Sequence, residues 1–370
     1  MDFNFTEALV DLGADTIFQI ANQASTPDSY FFNSILPETN VQDYKVTTGD
    51  MTIRATMAGL AGESGPYAPG GQISTSKFLE ETAKIANRVS LQEGNLRKLQ
   101  QMVLTLQAGN SGSIDFIQSE VLNFFDKVIL QGHFDTFEWL RAQALVNGNI
   151  DWTFNSKSIN IDYGVPTANM LPAATGTSAY DSTASTFWAD IRKSSELLRY
   201  NVRVRVAHID TMLAIIDNVA NNIEVTSDEG GVFTLRRLVG SNDRISTDSR
   251  DFVQIVTYQK EGELINPADP SSTIVVPFMP KKKILCIGRN ERSTYRVGEG
   301  TTADPKLDQA LGYTHIGPTV EGGGSAGRFG RLYTPENRQW ELVGEGVTNG
   351  LPVIEAPKKL SVLTTEIDGA

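Results

Sequence analysis

Cysteine, long apolar runs and basic N-terminal residues are scarce in this chain, and each shortage excludes a class of protein. Cys286 is the single cysteine among 370 residues, so a disulfide framework and a cysteine-based zinc site are both excluded. It lies in an apolar run and is predicted to be buried. No apolar run reaches the roughly 18 residues of a membrane span. Met1–Phe5 lacks a basic region, which argues against a secretory signal, and the single cysteine fits a reducing cytoplasm.

Histidine is also rare, and its three positions are far apart in sequence. His133, His208 and His315 have no partner at metal-ligand spacing, so we predict that each is a structural or surface residue. Gly323–Gly327 matches the Gly-x-Ser-x-Gly pattern of hydrolases, and Gly322–Gly327 matches a dinucleotide-binding pattern. The first pattern needs a following helix and a later histidine, and the second needs a strand–helix–strand setting. Because the sequence offers neither, we predict no catalytic, cofactor-binding or metal-binding residue and no cofactor.

Net charge and overall composition limit the classes of protein that this chain can belong to. The formal net charge is −12 and the pI is near 4.8, which argues against broad affinity for nucleic acid because phosphate binding needs basic patches. Ordinary acidic solubility explains this charge equally well. With 40% hydrophobic and 21% charged residues, the chain can bury a core and is not disordered as a whole.

A long stretch without proline, Ser111–Val146, is the most informative feature that the sequence does contain. Its apolar residues follow the period of a helix, and an Asn-Gly-Asn sequence ends it. We predict a helix over 111–147, hereafter the spine helix, of about 54 Å at roughly 1.5 Å per residue. Gly132 lies where the apolar phase shifts and is predicted to bend the helix. Phe137 and Trp139 are predicted to be buried.

A long, loose hairpin is predicted upstream, over residues 46–90. Alternation in Met51–Met57 marks its first strand, and the chain returns through Gln72–Phe78. Seven glycines and prolines crowd residues 59–71, a density that cannot form a packed core. A surface hairpin without a partner and a contact with a neighbouring subunit are the two interpretations of this segment.

An arm, residues 1–45, precedes the hairpin and has little core of its own. Three consecutive aromatic residues lie in it: Tyr30, Phe31 and Phe32. Side chains of this size need to be covered, because exposed apolar patches of such size mark interaction sites. Two interpretations stay open: packing on the chain's own body, or contact with a neighbouring subunit.

The remainder of the chain predicts a mixed α+β body. Strand-like residues follow the spine helix, and a stretch rich in Ala, Thr, Gly and Ser at 167–183 predicts a domain boundary. A compact α/β unit with helices near 186–200 and 210–219 comes next, and residues 331–367 return to strands. An arm, a loose hairpin, one long helix and a mixed body suit a subunit whose missing contacts come from its neighbours.

Two parts of this sequence carry a likeness to a known family. Phe137–Ile150 ends the spine helix and turns into a strand, and Tyr333–Asn337 through Leu351–Ile354 forms closing strands. They resemble the major capsid protein of tailed phages, specifically the lambda-type (protein E-like) capsid family with the Hong Kong 97 fold. The resemblance implies an α+β, Hong Kong 97-type capsid fold.

In that family the parts follow one order along the chain, with an extended loop that lies over the adjacent subunit. The implied parts are an N-terminal arm at 1–45, an extended loop at 46–90, a peripheral domain at 91–180 with the spine helix at 111–147, an axial domain at 181–330, and C-terminal strands at 331–370. The candidate residues for contact between subunits are Tyr30, Phe31, Phe32, Met57, Tyr67, Lys77 and Phe78.

The resemblance also implies a function, which is structural and not enzymatic. Such subunits assemble into pentamers and hexamers of an icosahedral phage head, whose shell encloses double-stranded DNA without sequence-specific binding. The implied partners are other copies of the chain, a scaffold, a portal and, optionally, a decoration protein, with no membrane. The expected location is the virion capsid, assembled in the host cytoplasm. An acidic wall would hold DNA without adhering to it.

Two other classes of protein stay open on the sequence alone. An α/β enzyme with a Gly-rich lid would need a pocket with convergent titratable groups. Another phage assembly protein, such as a tail-tube or sheath subunit, is the second alternative. Tube proteins are usually richer in β-structure and lack so long a helix.

Overall fold

The computed structural model describes the chain from Thr26 to Glu366 with several gaps. The described residues are 26–55, 71–91, 94, 97–98, 129–154, 157–227, 229–239, 244–245, 248, 251–265, 272–289, 311–333 and 342–366. Among these residues, no helix is long and apolar enough to cross a membrane.

Helices and strands are mixed along the described chain. The helices that organise the fold are α1 (Gln131–Asn147), α2 (Phe187–Leu197) and α3 (Ile209–Asp217). The strands are β1 (Glu38–Asn40), β2 (Lys45–Ala55), β3 (Gly71–Glu81), β4 (Ala83–Leu91), β5 (Asn149–Phe154), β6 (Lys157–Asp162), β7 (Val202–Ala207), β8 (Ile223–Ser227), β9 (Val232–Val239), β10 (Arg244–Ile245), β11 (Phe252–Thr257), β12 (Glu261–Ile265), β13 (Thr273–Pro277), β14 (Lys283–Gly288), β15 (Gly312–Gly317), β16 (Arg328–Tyr333), β17 (Leu342–Ile354) and β18 (Leu360–Thr364). The mixed α+β class predicted from the sequence is confirmed.

A five-stranded sheet brings together strands from both ends of the chain. Its order is β1–β15–β17–β16, and β4 also pairs with β17. Strand β17 has 13 residues, so its first half pairs with β16 and its second half with β15. The short N-terminal strand β1 runs parallel to β15 and forms an edge of this sheet.

Helix α1 packs across β17, and two glycines of the strand allow the close approach. A Cβ added at Gly346 would lie 2.1 Å from Ile129 Cγ2, and one at Gly350 would lie 2.6 Å from the Phe137 ring. Side chains at these two positions would therefore push the helix away from the sheet. The close contact leaves Phe137 and Leu140 fully buried.

A seven-stranded sheet forms the second part of the body. Its order is β10–β9–β11–β7–β14–β18, with β8 beside β9. Alternation along β14 places Ile284 and Cys286 in the core with α2 and α3, and Leu285 and Ile287 in the core with α1. Because both faces of this strand are buried from Ile284 onward, its residues after Lys283 are all apolar. Cys286 is fully buried, as predicted.

The spine helix ends where the sequence predicts. Helix α1 stops at Asn147, and Gly148 takes a left-handed φ of 71° while its N–H donates to Ala144 O at 3.1 Å. Glycine is favoured at this position because it has no Cβ to clash. Strand β5 follows at once, and the β5–β6 hairpin folds back so that Trp152 meets Trp139 edge-on at 5.3 Å between ring centroids.

The beginning of the spine helix is only partly described, since residues 111–128 lie outside the described residues. A π-type turn at Ile129–Leu130 directly precedes α1. Such turns accompany kinks in helices. The turn lies within three residues of Gly132, where the sequence predicts a bend, and the bend itself stays a prediction.

Residues 167–183, the predicted domain boundary, lie along the edge of the seven-stranded sheet. Leu171 N–H donates to Val362 O at 2.9 Å, and Ala174 N–H donates to Thr364 O at 2.8 Å. The segment therefore covers the outer edge of β18, which would otherwise present unpaired backbone groups. The limits of the predicted domains stay predictions.

Candidate functional site

Residues 26–40 form a strap that lies against α1 and ends in the five-stranded sheet. Tyr30 and Phe32 of the strap are 3% and 0% exposed, and the Phe32 ring meets Tyr258 edge-on at 5.4 Å. Of the two interpretations left open by the sequence, packing on the chain's own body holds for these two residues. Contact of this part of the strap with a neighbouring subunit stays a prediction. Phe31 is half-buried, and its contact with a neighbour stays a prediction.

Four charged side chains hold the strap on the helix, and we call them the ionic cluster. Arg141 of α1 is 0% exposed; its Nη2 donates to Glu38 Oε1 at 2.8 Å and its Nη1 to Glu138 Oε2 at 3.3 Å. Arg328 of β16 donates from Nη2 to the same Glu38 oxygen at 2.5 Å. Two carboxylates and two guanidiniums thus face one another, so the buried charges match in number.

Glu38 is the strap's own member of the ionic cluster. Burial opposes its ionisation, but Arg328 and Arg141 outweigh burial and lower the pKa of this carboxyl to about 2. Its Oε1 also accepts a hydrogen bond from Thr26 Oγ1 at 2.7 Å. The strap is therefore attached by charge-assisted hydrogen bonds, which are stronger than neutral ones.

Glu138 joins the strap to the helix from the other side. Its Oε1 accepts hydrogen bonds from Phe32 N at 2.7 Å and from Tyr258 Oη at 2.9 Å. Burial raises the pKa of Glu138, while Arg141 and these two donors act against the shift. A buried carboxylate is tolerated only when its oxygens are paired or hydrogen bonded, and here each oxygen has a partner.

Arg141 connects the ionic cluster to the five-stranded sheet. Its Nε donates to Thr314 Oγ1 in β15 at 2.8 Å, and that hydroxyl donates to Leu36 O of the strap at 2.8 Å. One guanidinium therefore fixes strap, helix and sheet relative to one another. Removing one partner from such a buried network costs about 3–5 kcal/mol, because it leaves an uncompensated charge.

The predicted hairpin is present as a ribbon of β2 and β3 that pairs with no other described strand. Each strand has 11 residues, which gives a length of about 36 Å at roughly 3.3 Å per residue. A two-stranded hairpin is marginally stable by itself in water. Neither outer edge of the ribbon pairs with a strand in the described part of the chain, and such an edge is a template for pairing with another chain.

The candidate contact residues of the hairpin are described only in part. Met57 and Tyr67 lie outside the described residues. Lys77 and Phe78 lie in β3, opposite Gly49 and Thr48 of β2. Contact between their side chains and a neighbouring subunit stays a prediction.

The candidate residues of the spine helix lie on its packed side. Phe137 and Trp139 are 0% and 8% exposed, as predicted. A Cβ added at Gly132 would lie 3.1 Å from Asn87 Nδ2 of β4. This glycine therefore gives the helix room beside β4, a role that the sequence alone does not reveal.

His133 of α1 is a structural residue that connects the helix to two strands. Its Nε2 lies 2.9 Å from Asn87 Oδ1 and its Nδ1 lies 2.7 Å from Thr348 Oγ1. An amide oxygen can only accept, so Nε2 donates to Asn87; when the ring is neutral, Nδ1 accepts from the Thr348 hydroxyl. Burial, aided by nearby Arg328, lowers the pKa of His133 to about 4.

The other two histidines are structural as well, as predicted. His208 Nδ1 accepts from the N–H of Asp210 and caps the start of α3. His315 Nε2 lies 2.6 Å from Asp43 O and ties β15 to the segment before the hairpin.

The glycine-rich turn that matches enzyme motifs leads into a strand. Residues 322–327 are followed by β16, whereas a nucleophile elbow needs a helix there. No group of three or more His, Cys, Asp and Glu that could hold a metal ion occurs in the described part of the chain.

An open groove lies between α1 and the β12–β13 ribbon, with a volume of about 570 Å³. Its acidic residues are Asp135, Glu261 and Glu263, and Trp139 is one of its apolar residues. Asp135 is already engaged, because it accepts a hydrogen bond from Tyr30 Oη at 2.7 Å. The described residues that line the groove include no serine, cysteine or histidine.

The ionic cluster is the feature that sequence reasoning missed. Glu138 and Arg141 stand three residues apart in an otherwise apolar part of the spine helix, which places both on one helical face. This pair of opposite charges among apolar neighbours was the one sign in the sequence of a buried ion pair. Glu38 and Arg328 lie far away in the sequence, and no local pattern links them to the helix.

The fold resembles that of solved phage proteins, although the sequence matches no known family. No protein-family model matches the chain, and no curated protein matches its sequence. The structure is similar to that of the candidate capsid protein of a prophage from E. coli CFT073, with a TM-score of 0.57 at 8% identity over 99% of this chain and 100% of that chain. A phage-related protein from Bordetella bronchiseptica RB50 matches with a TM-score of 0.47 at 10% identity, over 95% of this chain and 96% of that one. The mature capsid of bacteriophage PhiM1 matches with a TM-score of 0.42 at 9% identity, over 90% and 86%.

The likeness to the candidate prophage capsid protein, with its TM-score of 0.57 over 99% of this chain, defines the class of fold. The chain therefore has the mixed α+β fold found in that candidate prophage capsid protein. At 8% identity the likeness concerns the fold alone.

Proposed function

We propose that this chain is a structural, non-enzymatic subunit of an icosahedral phage head. The observation that carries the proposal is the fold shared over 99% of the chain with the candidate capsid protein of a prophage. The sequence resemblance to lambda-type capsid proteins supports the same conclusion independently, through the end of the spine helix and the strand that follows it. The expected location is the virion capsid, after assembly in the host cytoplasm.

The proposed layout is that of the Hong Kong 97 fold. In this layout the strap belongs to the N-terminal arm, the β2–β3 ribbon is the extended loop, α1 is the end of the spine helix, and the seven-stranded sheet forms most of the axial domain. The ribbon supports the assignment physically. A two-stranded hairpin about 36 Å long, whose edges pair with no other described strand, gains stability when an adjacent subunit covers it.

The proposed assembly consists of pentamers and hexamers of identical chains. Each subunit contributes several interfaces, so contacts that are individually modest add up to a cooperative shell. A scaffold, a portal and an optional decoration protein are proposed as further partners. Packaged double-stranded DNA is the proposed content, held without sequence-specific binding.

Deleting the tip of the hairpin tests this proposal. Replacing residues 56–70 with Asn-Gly keeps both described strands and joins the paired residues Ala55 and Gly71 through a two-residue turn. We expect a folded subunit that forms no particles, because the loop that overlaps the neighbour is gone. Circular dichroism and a thermal melt establish folding, and negative-stain electron microscopy counts particles against the unmodified chain. Normal particles from the shortened chain would show that the hairpin is not an assembly element.

A further inference from the structure

Strand β13 forms one edge of the β12–β13 ribbon. It pairs with β12 and with no other strand in the described part of the chain. Its sequence, Thr-Ile-Val-Val-Pro, carries no charge, and Ile274 and Val275 are 46% and 57% exposed. Edge strands of soluble proteins are usually protected by a charged residue, a bulge or a covering segment. An uncharged, exposed edge of β-branched residues is therefore suited to pairing with another chain.

The register of the ribbon shows which backbone groups point to this edge. Phe278 N–H donates to Lys260 O at 3.0 Å, so these two opposite residues form a hydrogen-bonded pair. Hydrogen-bonded and non-hydrogen-bonded pairs alternate along an antiparallel ladder. Every second residue of β13 therefore bonds to β12, and the backbone groups of Thr273, Val275 and Pro277 point outward. Pro277 fits this arrangement, because a proline in a strand needs its missing N–H to face away from the ladder.

The outward groups match a second copy of β13 that runs antiparallel to the first. With a twofold axis at Val275, the N–H of Val275 meets the C=O of Val275 in the second copy. The N–H of Thr273 then meets the C=O of Pro277 in the second copy, and Pro277 has no N–H to leave unpaired. Both outward N–H groups of each strand are thereby paired. The ladder of five residues is about 17 Å long at roughly 3.4 Å per residue.

Self-pairing also covers apolar side chains on both faces of the ribbon. Ile274 and Val276 share the face of Gly262, where an added Cβ would lie 3.8 Å from Asp135 Cβ of α1. On this face, Ile274 of one copy lies opposite Val276 of the other, at a Cα separation of about 4.5 Å. On the other face the two Val275 side chains become neighbours.

The charges of the ribbon favour β13 over β12 as the pairing edge. Glu261 and Glu263 of β12 are exposed, and a twofold axis on β12 at Glu263 would set two glutamates directly opposite each other. Like charges in that position are destabilising. When β13 pairs with itself, the two Glu263 residues are separated by three strand spacings, about 14 Å at roughly 4.8 Å each. That distance exceeds the Debye length of about 8 Å at physiological salt.

We propose that β13 pairs with β13 of a second copy across a twofold axis, so that two ribbons form one four-stranded sheet. The contact is isologous, because the same residues meet on both copies. An edge of five residues is too short to bury the roughly 1,200 Å² of a stable interface, so it acts together with other contacts. In this respect the inference rests on the proposed function, since a shell of identical copies supplies those contacts.

A disulfide across the twofold axis tests the pairing. Cys286, the single cysteine, is fully buried, so an introduced surface cysteine is the accessible thiol. Val275→Cys sets two thiols on opposite residues whose Cα atoms lie about 5.5 Å apart, within the 4.4–6.8 Å of disulfides. Glu263→Cys is the matched control, because Glu263 is exposed and lies opposite Val275 in the same ribbon. Each full-length chain is oxidised at high concentration, as particles where these form, and non-reducing gel electrophoresis measures the covalent dimer.

We expect at least about fivefold more covalent dimer from Val275→Cys than from Glu263→Cys. Particles with equal dimer yields, or with no dimer, would overturn the twofold contact and leave the proposed function standing. Dimer from Val275→Cys in a chain that forms no particles would uphold the contact and refute the proposed function, and absence of both would refute both. A disulfide that forms only when Val275→Cys and Ser74→Cys chains are mixed would overturn self-pairing and assign the edge to β3 of a neighbour.

A proline at the same position tests the hydrogen bonds themselves. Val275→Pro removes an outward N–H and leaves the bonds between β12 and β13 in place. Glu263→Pro is the matched control, because the N–H of Glu263 points away from β13 on the other edge. Circular dichroism and thermal melts establish that both variants are folded. We expect Val275→Pro to give at least about tenfold fewer particles than the control in negative-stain electron microscopy, and equal numbers would contradict pairing along β13.

Discussion

Changing Glu38 to glutamine tests whether the ionic cluster holds the strap in place. The substitution keeps the size of the side chain and removes its charge, so Arg141 and Arg328 lose the carboxylate that they share. The pKa of Glu38 falls from its ordinary 4.5 to about 2. At about 1.4 kcal/mol per unit, this shift corresponds to roughly 3 kcal/mol of stability at neutral pH. That figure agrees with the cost of about 3–5 kcal/mol for breaking a buried charge pair.

Unfolding in urea, followed by tryptophan fluorescence, measures this loss. Glu81→Gln is the matched control, since Glu81 is 74% exposed and lies 3.7 Å from Lys45 in a surface ion pair. We expect Glu38→Gln to lower the free energy of unfolding by about 3 kcal/mol at pH 7 and the control to lower it by less than about 1 kcal/mol.

The pH dependence gives a second, independent check. The folded-state pKa of Glu38 lies below its unfolded value, so its contribution is complete above about pH 4.5 and is lost as the pH falls toward 2. The free energies of the unmodified chain and Glu38→Gln should therefore converge on acidification. Equal stabilities for the two variants at pH 7, or a gap that stays constant down to pH 2, would refute this reasoning.

Two further changes test the packing of α1 on the sheet. Gly350→Ala should lower the free energy of unfolding by about 1–3 kcal/mol, because its Cβ would lie 2.6 Å from the Phe137 ring. The control Gly94→Ala, at a helical position with nothing within 4 Å, should leave the free energy of unfolding unchanged or raise it by up to about 1 kcal/mol. An unchanged melting temperature for Gly350→Ala would contradict the close contact. His133→Gln should make the free energy of unfolding less dependent on pH. Between about pH 6.5 and 4 the unfolded chain binds a proton at His133 and the folded chain does not, so the unmodified chain loses stability as the pH is lowered. Urea titrations across that pH range should show that the free energy of unfolding changes less steeply with pH in the variant. An unchanged dependence on pH would mean that His133 titrates normally when folded.

Features governed by neighbouring residues were predictable from the sequence. The end of α1 follows from Gly148, whose left-handed conformation is a common helix stop. The strands of the hairpin follow from alternation and from the glycine-rich segment between them. Burial of Phe137 and Trp139 follows from their place in an apolar helical stretch.

Features that depend on distant residues were not predictable from one sequence. Tyr30 and Phe32 could equally have packed on a neighbour, and only the position of α1 and Tyr258 decides that they are covered by the chain itself. The ionic cluster joins Glu38 to Arg328 across 290 residues, and no local pattern records such a pairing.

The measurement that tests the central claim most directly is the size and shape of what the expressed chain forms. Gel filtration of the unmodified chain, followed by negative-stain electron microscopy of any large fraction, gives the answer without any variant. The proposed function predicts hollow shells, or rings of five and six subunits. A monomer or dimer that persists when its scaffold or crowding agents are added would contradict it.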